Sequence, residues 1–233
     1  MSLIFKQLFE RESCTYTYLI ADSETKEAAI VDAVDIMIDR DTALLKELDL
    51  DLKFIIETHI HADHITSACP LKKYYPKARI VIGMENVDAE ACSDIMVSEG
   101  HILNIGQYQI TTIETPGHTL GCMSYLIENK LLTGDALFIR STGRCDFQGG
   151  SAESLYESIQ KLFKLPDTTE VYPAHDYNGL SVSSIGEEKK FNSMIRESFD
   201  QQTFIENVNS LDLGLPKKIK VAVPANQSCG LIA

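Results

Sequence analysis

The chain has 233 residues, 44% hydrophobic and 24% charged, which is the size and composition of one well-buried globular domain. Its net charge of -13, from 21 basic and 34 acidic residues, disfavours a nucleic-acid partner and an anionic membrane surface, because both require clustered Lys and Arg. No apolar run approaches the roughly 20 residues of a membrane span. The opening "MSLIFKQLFERES" has neither the apolar stretch and cleavage site of a signal peptide nor the Arg- and Ser-rich character of a transit peptide, so we expect a cytoplasmic protein.

In chain order, "CTYTYLIAD" (14–22) alternates and is rich in Thr and Tyr, which predicts a strand, and "EAAIVDA" (27–33) after the polar "SETK" turn predicts its hairpin partner. "DRDTALLKELDL" (39–50) spaces its leucines at helical intervals behind an Asp cap. "KFIIETH" (53–59) and "ARIVIG" (78–83) read as apolar strands, and "YQITTIETPGHT" (108–119) as a strand ending at a Pro-Gly turn. "CMSYLIEN" (122–129) and "KLLTGDA" (130–136) read as two strands joined by a tight turn. "SAESLYESIQKLFKL" (151–165) is an amphipathic helix with a Ser cap and Glu153 in its first turn, and "TEVYPAH" (169–175) is a strand followed by a loop. "GEEKKFNSMIRESF" and "QQTFIENVNSL" carry helical patterns, and "VAVPANQSCG" reads as an irregular tail. The mixture of strands and helices in both halves predicts one α/β domain spanning 1–233, with layered sheets, outer helices and a short helical C-terminal region from about 180.

The six cysteines, Cys14, Cys69, Cys92, Cys122, Cys145 and Cys229, form no C-x-x-C pair. In a cytoplasmic chain they are expected to be scattered buried thiols, with Cys122 and Cys145 close enough to the motifs below to line a site.

Three of the six histidines fall within "ETHIHADHITS" (57–67), directly after a predicted strand. His59 and His61 form a His-x-His pair that can direct two rings toward one point, and Asp63 and His64 follow at once. His118 in "TPGHTLGC", Asp135 in "LLTGDALF" and His175 in "YPAHDYNG" also follow predicted strands, beside Gly, Pro or Ala. These seven side chains offer neutral imidazole and carboxylate, a donor set that suits zinc, iron and manganese. His101 has no such setting and reads as structural or exposed.

"THIHADH", "PGHT", "TGD" and "PAHDY", in this order and spacing, resemble the metallo-β-lactamase superfamily. That resemblance implies an αββα sandwich with a metal cleft at one edge of the two sheets. The longer stretches "THIHADHITSA", "PGHTLGCMSYLI", "TGDALFIRSTGRCDFQGG", "YPAHDYNGLSVSSIGEEKKFN" and "VAVPANQSCG" resemble the persulfide dioxygenases of that superfamily. The implied activity is oxidation of glutathione persulfide with O2 to sulfite and glutathione, at one non-haem Fe(2+) per chain.

The implied iron ligands are His59, His118 and Asp135, a two-His-one-carboxylate face with open positions. His61, Asp63, His64 and His175 would form a shell around it, and Arg144 and Tyr177 match positions associated with glutathione. Arginine can pair with a glutathione carboxylate, or else with its neighbour Asp146. Any sulfurtransferase partner would be a separate protein, and the C-terminal helices offer a surface for a homodimer.

Glyoxalase II is the near relative. There two metal ions, drawn from zinc, iron or manganese, would support thioester hydrolysis, with His59, His61, His118 and Asp135 on one ion and Asp63, His64, Asp135 and His175 on the other. Glyoxalase II tends to carry "CGHEYT" where this chain has "PAHDYN", and has a longer helical C-terminal region. A metal or redox sensor without turnover is a third class, disfavoured by the substrate-anchoring positions.

Overall fold

The first strand, β1 (Leu3–Glu10), pairs antiparallel with β2 (Thr15–Asp22), from Leu3 opposite Asp22 to Glu10 opposite Thr15. The structure is a computed structural model and describes residues 2–231. β2 continues by hairpin into β3 (Glu27–Val31), as expected from its alternation. A crossover through α1 (Ile38–Glu47) leads to β4 (Asp51–Ile56), parallel to β3. Another through α2 (Ala68–Tyr74) leads to β5 (Arg79–Gly83), and β6 (Ile95–Val97) closes a six-stranded sheet in the order β1 to β6.

The second sheet begins with an antiparallel meander of β7 (Ile102–Ile105), β8 (Tyr108–Glu114), β9 (Met123–Ile127) and β10 (Lys130–Gly134). Helix α3 (Ala152–Leu162) then crosses over to β11 (Glu170–Pro173), parallel to β10, and β12 (Ser183–Ser184) pairs antiparallel beyond it. The chain ends in α4 (Ile185–Phe191), α5 (Gln201–Asn209) and α6 (Ile219–Asn226).

Strand periodicity builds the layers. On β2, Tyr16, Tyr18 and Ile20 face Tyr125, Ile127 and Leu132 of the opposite sheet, forming the core between the sheets. Leu19 and Ala21, from the other face of β2, pack with Leu45 of α1 and Leu71 of α2. Leu155 and Ile159 of α3 and Phe204 of α5 cover Leu131 and Val171 on the second sheet. The arrangement is the expected α/β sandwich, helices outside and two sheets within. β8, β10 and β11 run the same way, so their C-terminal ends share one rim with the loop after β4.

Some elements depart from expectation. β1 and α2 carry no strong periodic signal. Helix α1 has no Asp cap: a 3-10 turn, Asp35–Met37, runs straight into it and its N-cap residue, Met37, makes no side-chain cap bond. Helix α3 does have its Ser cap, with Ser151 Oγ accepting from the Ser154 N–H at 3.1 Å. The helix expected through "GEEKKFNSMIRESF" stops at Phe191, because Asn192 leaves helical geometry and its Oδ1 accepts the N–H groups of Met194 and Ile195. The tail read as irregular is helix α6. Pro224 forfeits one helical hydrogen bond there, but Ala222 and Ala225 are buried against Ile65, and packing prevails.

The cysteines also differ from expectation. Cys92 and Cys229 form a disulfide across 137 residues, with Cα atoms 5.9 Å apart, because the tail folds back beside the turn after β5. The other four are free thiols.

Candidate metal centre

β4 ends at Ile56 and delivers Glu57, Thr58 and His59 into the rim. His118 arrives after β8, Asp135 directly after β10, and His175 just after β11. Gly134, at φ +53, makes the turn that aims Asp135, and Gly143 lets the chain approach closely: a Cβ there would stand 2.2 Å from the Asp135 carbonyl oxygen and 3.1 Å from His118 Nδ1.

Donor atoms of His59, His118 and Asp135 lie within 4.8 Å of one another, and all three residues are buried. His118 Nε2 is 3.4 Å and His59 Nε2 3.9 Å from Asp135 Oδ2. Hydrogen bonds settle the tautomers. The Thr58 hydroxyl donates to Asp32 Oδ2 at 2.9 Å, so its oxygen must accept from His59 Nδ1–H, also at 2.9 Å. His118 Nδ1 lies 2.6 Å from the Arg144 carbonyl, which can only accept. Both rings therefore hold Nδ1 on an acceptor and turn Nε2 toward Asp135, the arrangement typical of histidine ligands. Burial keeps His59 well below the usual histidine range, hence neutral. Asp135 Oδ1 is buried without a hydrogen-bond donor. Two Nε2 atoms turned to one carboxylate fit a divalent cation, and the orphaned carboxylate oxygen would be costly without one.

His61, Asp63 and His175 form a second set within 4.8 Å, and Asp32, Glu57 and His61 a third. His61 Nε2 is 3.1 Å from Asp32 Oδ1 and 3.6 Å from Glu57 Oε2. Burial opposes charge on His61, but Asp32 and Glu57 beside it lift its pKa to about 10, while burial and Asp32 push the Glu57 carboxyl up to about 8. His64 Nδ1 donates to Asp63 Oδ2 at 3.1 Å, leaving Nε2 buried and unpartnered. Burial opposes the charge of Asp63 too, yet His175 and His64 hold it well below the usual carboxylate range. His175 Nε2 is 3.6 Å from Asp135 Oδ1 and 3.7 Å from Asp63 Oδ2, so this ring stands between the first two sets. Thr15 Oγ1 lies 3.3 Å from His64 Nδ1 and 3.4 Å from His175 Nδ1.

A cavity of about 540 Å³ opens over His59, His118 and Asp135. Phe138, Ile139, Phe147, Leu211, Leu213 and Pro216 give it apolar walls, a usual character for a small-molecule site. Tyr177 is 65% exposed at its edge, stacked on His175 with ring centres 5.8 Å apart. Arg144 also lines the cavity, but its guanidinium is engaged: Nε and Nη2 each donate to Asp146 at 2.6 Å, and Nη1 and Nη2 donate to the Gly214 and Leu213 carbonyls at 2.7 and 3.1 Å. The ion pair weighed from the sequence is thus present. Cys122 and Cys145 are absent from this cavity lining, and burial pushes both thiols up to about 12. His101 is exposed, as expected.

All seven side chains expected from the sequence meet at this rim. Asp32, Glu57, Thr58 and Thr15 were not singled out there. Asp32 follows a strand as Asp135 does, and its φ of +51° is unusual for a non-glycine, but a backbone angle leaves no trace in sequence.

Comparison with known proteins agrees with this geometry. The metallo-beta-lactamase superfamily model matches residues 15–96 and 97–175. The mouse "Persulfide dioxygenase ETHE1, mitochondrial" is 41% identical over 98% of this chain and 89% of its own length. "Glyoxylase B2" of Dictyostelium discoideum is 34% identical over 95% of this chain and 89% of its own. The crystal structure of ETHE1 from Myxococcus xanthus superposes with a TM-score of 0.93 at 44% identity, covering 98% of this chain and 100% of that one. The chain therefore belongs to the metallo-beta-lactamase superfamily and, within it, to the persulfide dioxygenase family.

Proposed function

We propose that this chain is a persulfide dioxygenase that converts glutathione persulfide, O2 and water to glutathione and sulfite. The balance is GSSH + O2 + H2O → GSH + H2SO3, with the terminal sulfur oxidised and O2 reduced. The observation that carries the reading is the convergence of two imidazoles and one carboxylate, His59, His118 and Asp135, within 4.8 Å of one another, a set that does not include His61. That is the two-His-one-carboxylate face of non-haem iron oxygenases, and it supports His59, His118 and Asp135 as ligands of one Fe(2+) per chain. Iron(II) there would supply open positions for the persulfide sulfur and O2, and a redox path by which electrons of the sulfur reach O2.

The chain's own residues do the rest. The apolar walls keep water from the reacting sulfur. His61, Asp63, His64 and His175 surround the three ligands, with His175 Nε2 3.6 Å from Asp135 Oδ1. Tyr177 packs against the substrate backbone at the mouth. Arg144 fixes the segment carrying Leu213 and Gly214, and offers its charge to a glutathione carboxylate. The cytoplasm is the proposed compartment; no helix among the described residues is long and apolar enough to cross a membrane. A separate sulfurtransferase as persulfide supplier and a homodimer through the C-terminal helices complete the proposal.

The second set, His61, Asp63 and His175, favours one alternative: a dinuclear, glyoxalase II-type hydrolase. Offering the iron-loaded protein glutathione persulfide and S-lactoylglutathione side by side separates the two. Sulfite from the first with no thioester cleavage supports the proposal. Thioester cleavage without sulfite overturns it.

A further inference from the structure

The loop carrying the histidine cluster is held by more than its own strand. Helix α6 lies against it from the far end of the chain. Asn226 is buried and spends its whole side-chain amide on this loop: Oδ1 accepts the Thr66 N–H at 2.9 Å, and Nδ2 donates to the His61 and His64 carbonyls at 2.9 and 2.8 Å. The amide orientation is unambiguous, since the reverse would set Nδ2 against an N–H and Oδ1 against two carbonyls. Thr66 in turn donates its hydroxyl to Glu57, which flanks His61. Three further contacts hold the helix in place. Ala222 and Ala225 bury Ile65. The Cys229 carbonyl accepts from the Cys69 N–H at 2.9 Å. Gly230, at φ +87, approaches so closely that a Cβ would stand 2.0 Å from the Thr66 carbonyl oxygen. The Cys92–Cys229 disulfide then ties this end of the chain to the turn after β5.

We propose that Asn226 is a positioning residue for the metal centre, and that the Cys92–Cys229 disulfide secures the helix that carries it. Fixing the carbonyls of His61 and His64 fixes the backbone on both sides of Asp63, and with it the directions of the rings. An asparagine that merely closed the tail would need no contact with these two carbonyls. The inference rests on the loop being a metal site and not on the choice of reaction.

The test uses the full-length chain with cobalt(II) as probe. Asn226→Asp keeps the shape but sets a carboxylate oxygen against the two carbonyls. Cobalt affinity is measured by competition with a chelator, at a temperature where circular dichroism shows the variant folded, and the visible cobalt spectrum is recorded. The expected result is an affinity loss of about 10-fold or more, the usual scale for outer-shell groups, with an altered spectrum. Affinity within twofold of the parent and an unchanged spectrum would overturn the proposal. If Asn226→Asp does not fold, Cys92→Ser decides, since it releases the tether and leaves the amide in place. The expectation is then a smaller affinity loss with faster hydrogen exchange at the Thr66 N–H, and no change in either sinks the idea. Parent protein that binds cobalt tightly but consumes no O2 when iron-loaded would end the dioxygenase reading and leave this inference standing.

Discussion

Replacing Thr58 with valine removes one hydroxyl and keeps the side chain's shape. In the structure that hydroxyl donates to Asp32 at 2.9 Å and accepts from His59 Nδ1–H at 2.9 Å, with all three residues buried. Asp32 keeps a second donor, the Thr58 N–H at 2.8 Å, so its carboxylate stays partly satisfied. His59 Nδ1–H is left unpaired, and the ring loses what selects its tautomer and orientation. A buried unsatisfied donor costs about 1–3 kcal/mol. At about 2–4 °C per kcal/mol for a chain of this length, the melting temperature should fall by roughly 2–12 °C. Loss of an outer-shell partner should weaken metal binding about 10- to 100-fold, or ~1.4–2.7 kcal/mol. Competition titration against a chelator reads the second effect and calorimetry the first. Thr58→Ser, which restores the hydroxyl, should recover most of both. Metal affinity in Thr58→Val within twofold of the parent would refute the claim that this chain of hydrogen bonds prepares His59 as a ligand.

His118→Ala should bring metal content at this site close to zero by elemental analysis while the fold persists by circular dichroism; full retention would remove His118 from the ligand set. Arg144→Ala frees Asp146 and the carbonyls of Leu213 and Gly214, and should raise KM for the persulfide more than it lowers kcat. Arg144→Lys should not restore it, because one ammonium cannot reproduce the forked contact, and an unchanged KM in Arg144→Ala would contradict the role. For chelator-treated protein the sign of the pH dependence follows from His61. Its folded pKa of about 10 lies above the usual 6.5, so its contribution is fully present below about pH 6.5 and is lost as pH rises toward 10. Urea midpoints should fall across that window, and a flat or rising profile would contradict it.

The candidate ligands and the side chains around them were legible because metal chemistry admits few residue types and the strands that deliver them alternate visibly. The sequence alone places His59, His61, His118, Asp135 and His175 at strand ends. The groups that prepare them were not legible. Thr58 and Asp32 are ordinary residues whose role depends on a left-handed turn at Asp32 and on packing between β3 and β4. Asn226 meets the histidine loop across more than 160 residues of sequence, and Cys229 meets Cys92 across 137. Neither distance leaves a local pattern. The tail read as irregular is helical because burial of Ala222 and Ala225 outweighs the hydrogen bond lost at Pro224. For Arg144 the sequence offered two partners, a glutathione carboxylate or Asp146, and the structure holds the second, two residues away.

The most direct test of the central claim is O2 uptake by metal-stripped protein titrated anaerobically with Fe(2+) and then given glutathione persulfide. Uptake that rises with iron and levels off near one iron per chain, with sulfite formed in equal amount, is the predicted result. Uptake that requires two metal ions per chain, or none in fully iron-loaded protein, would contradict the account.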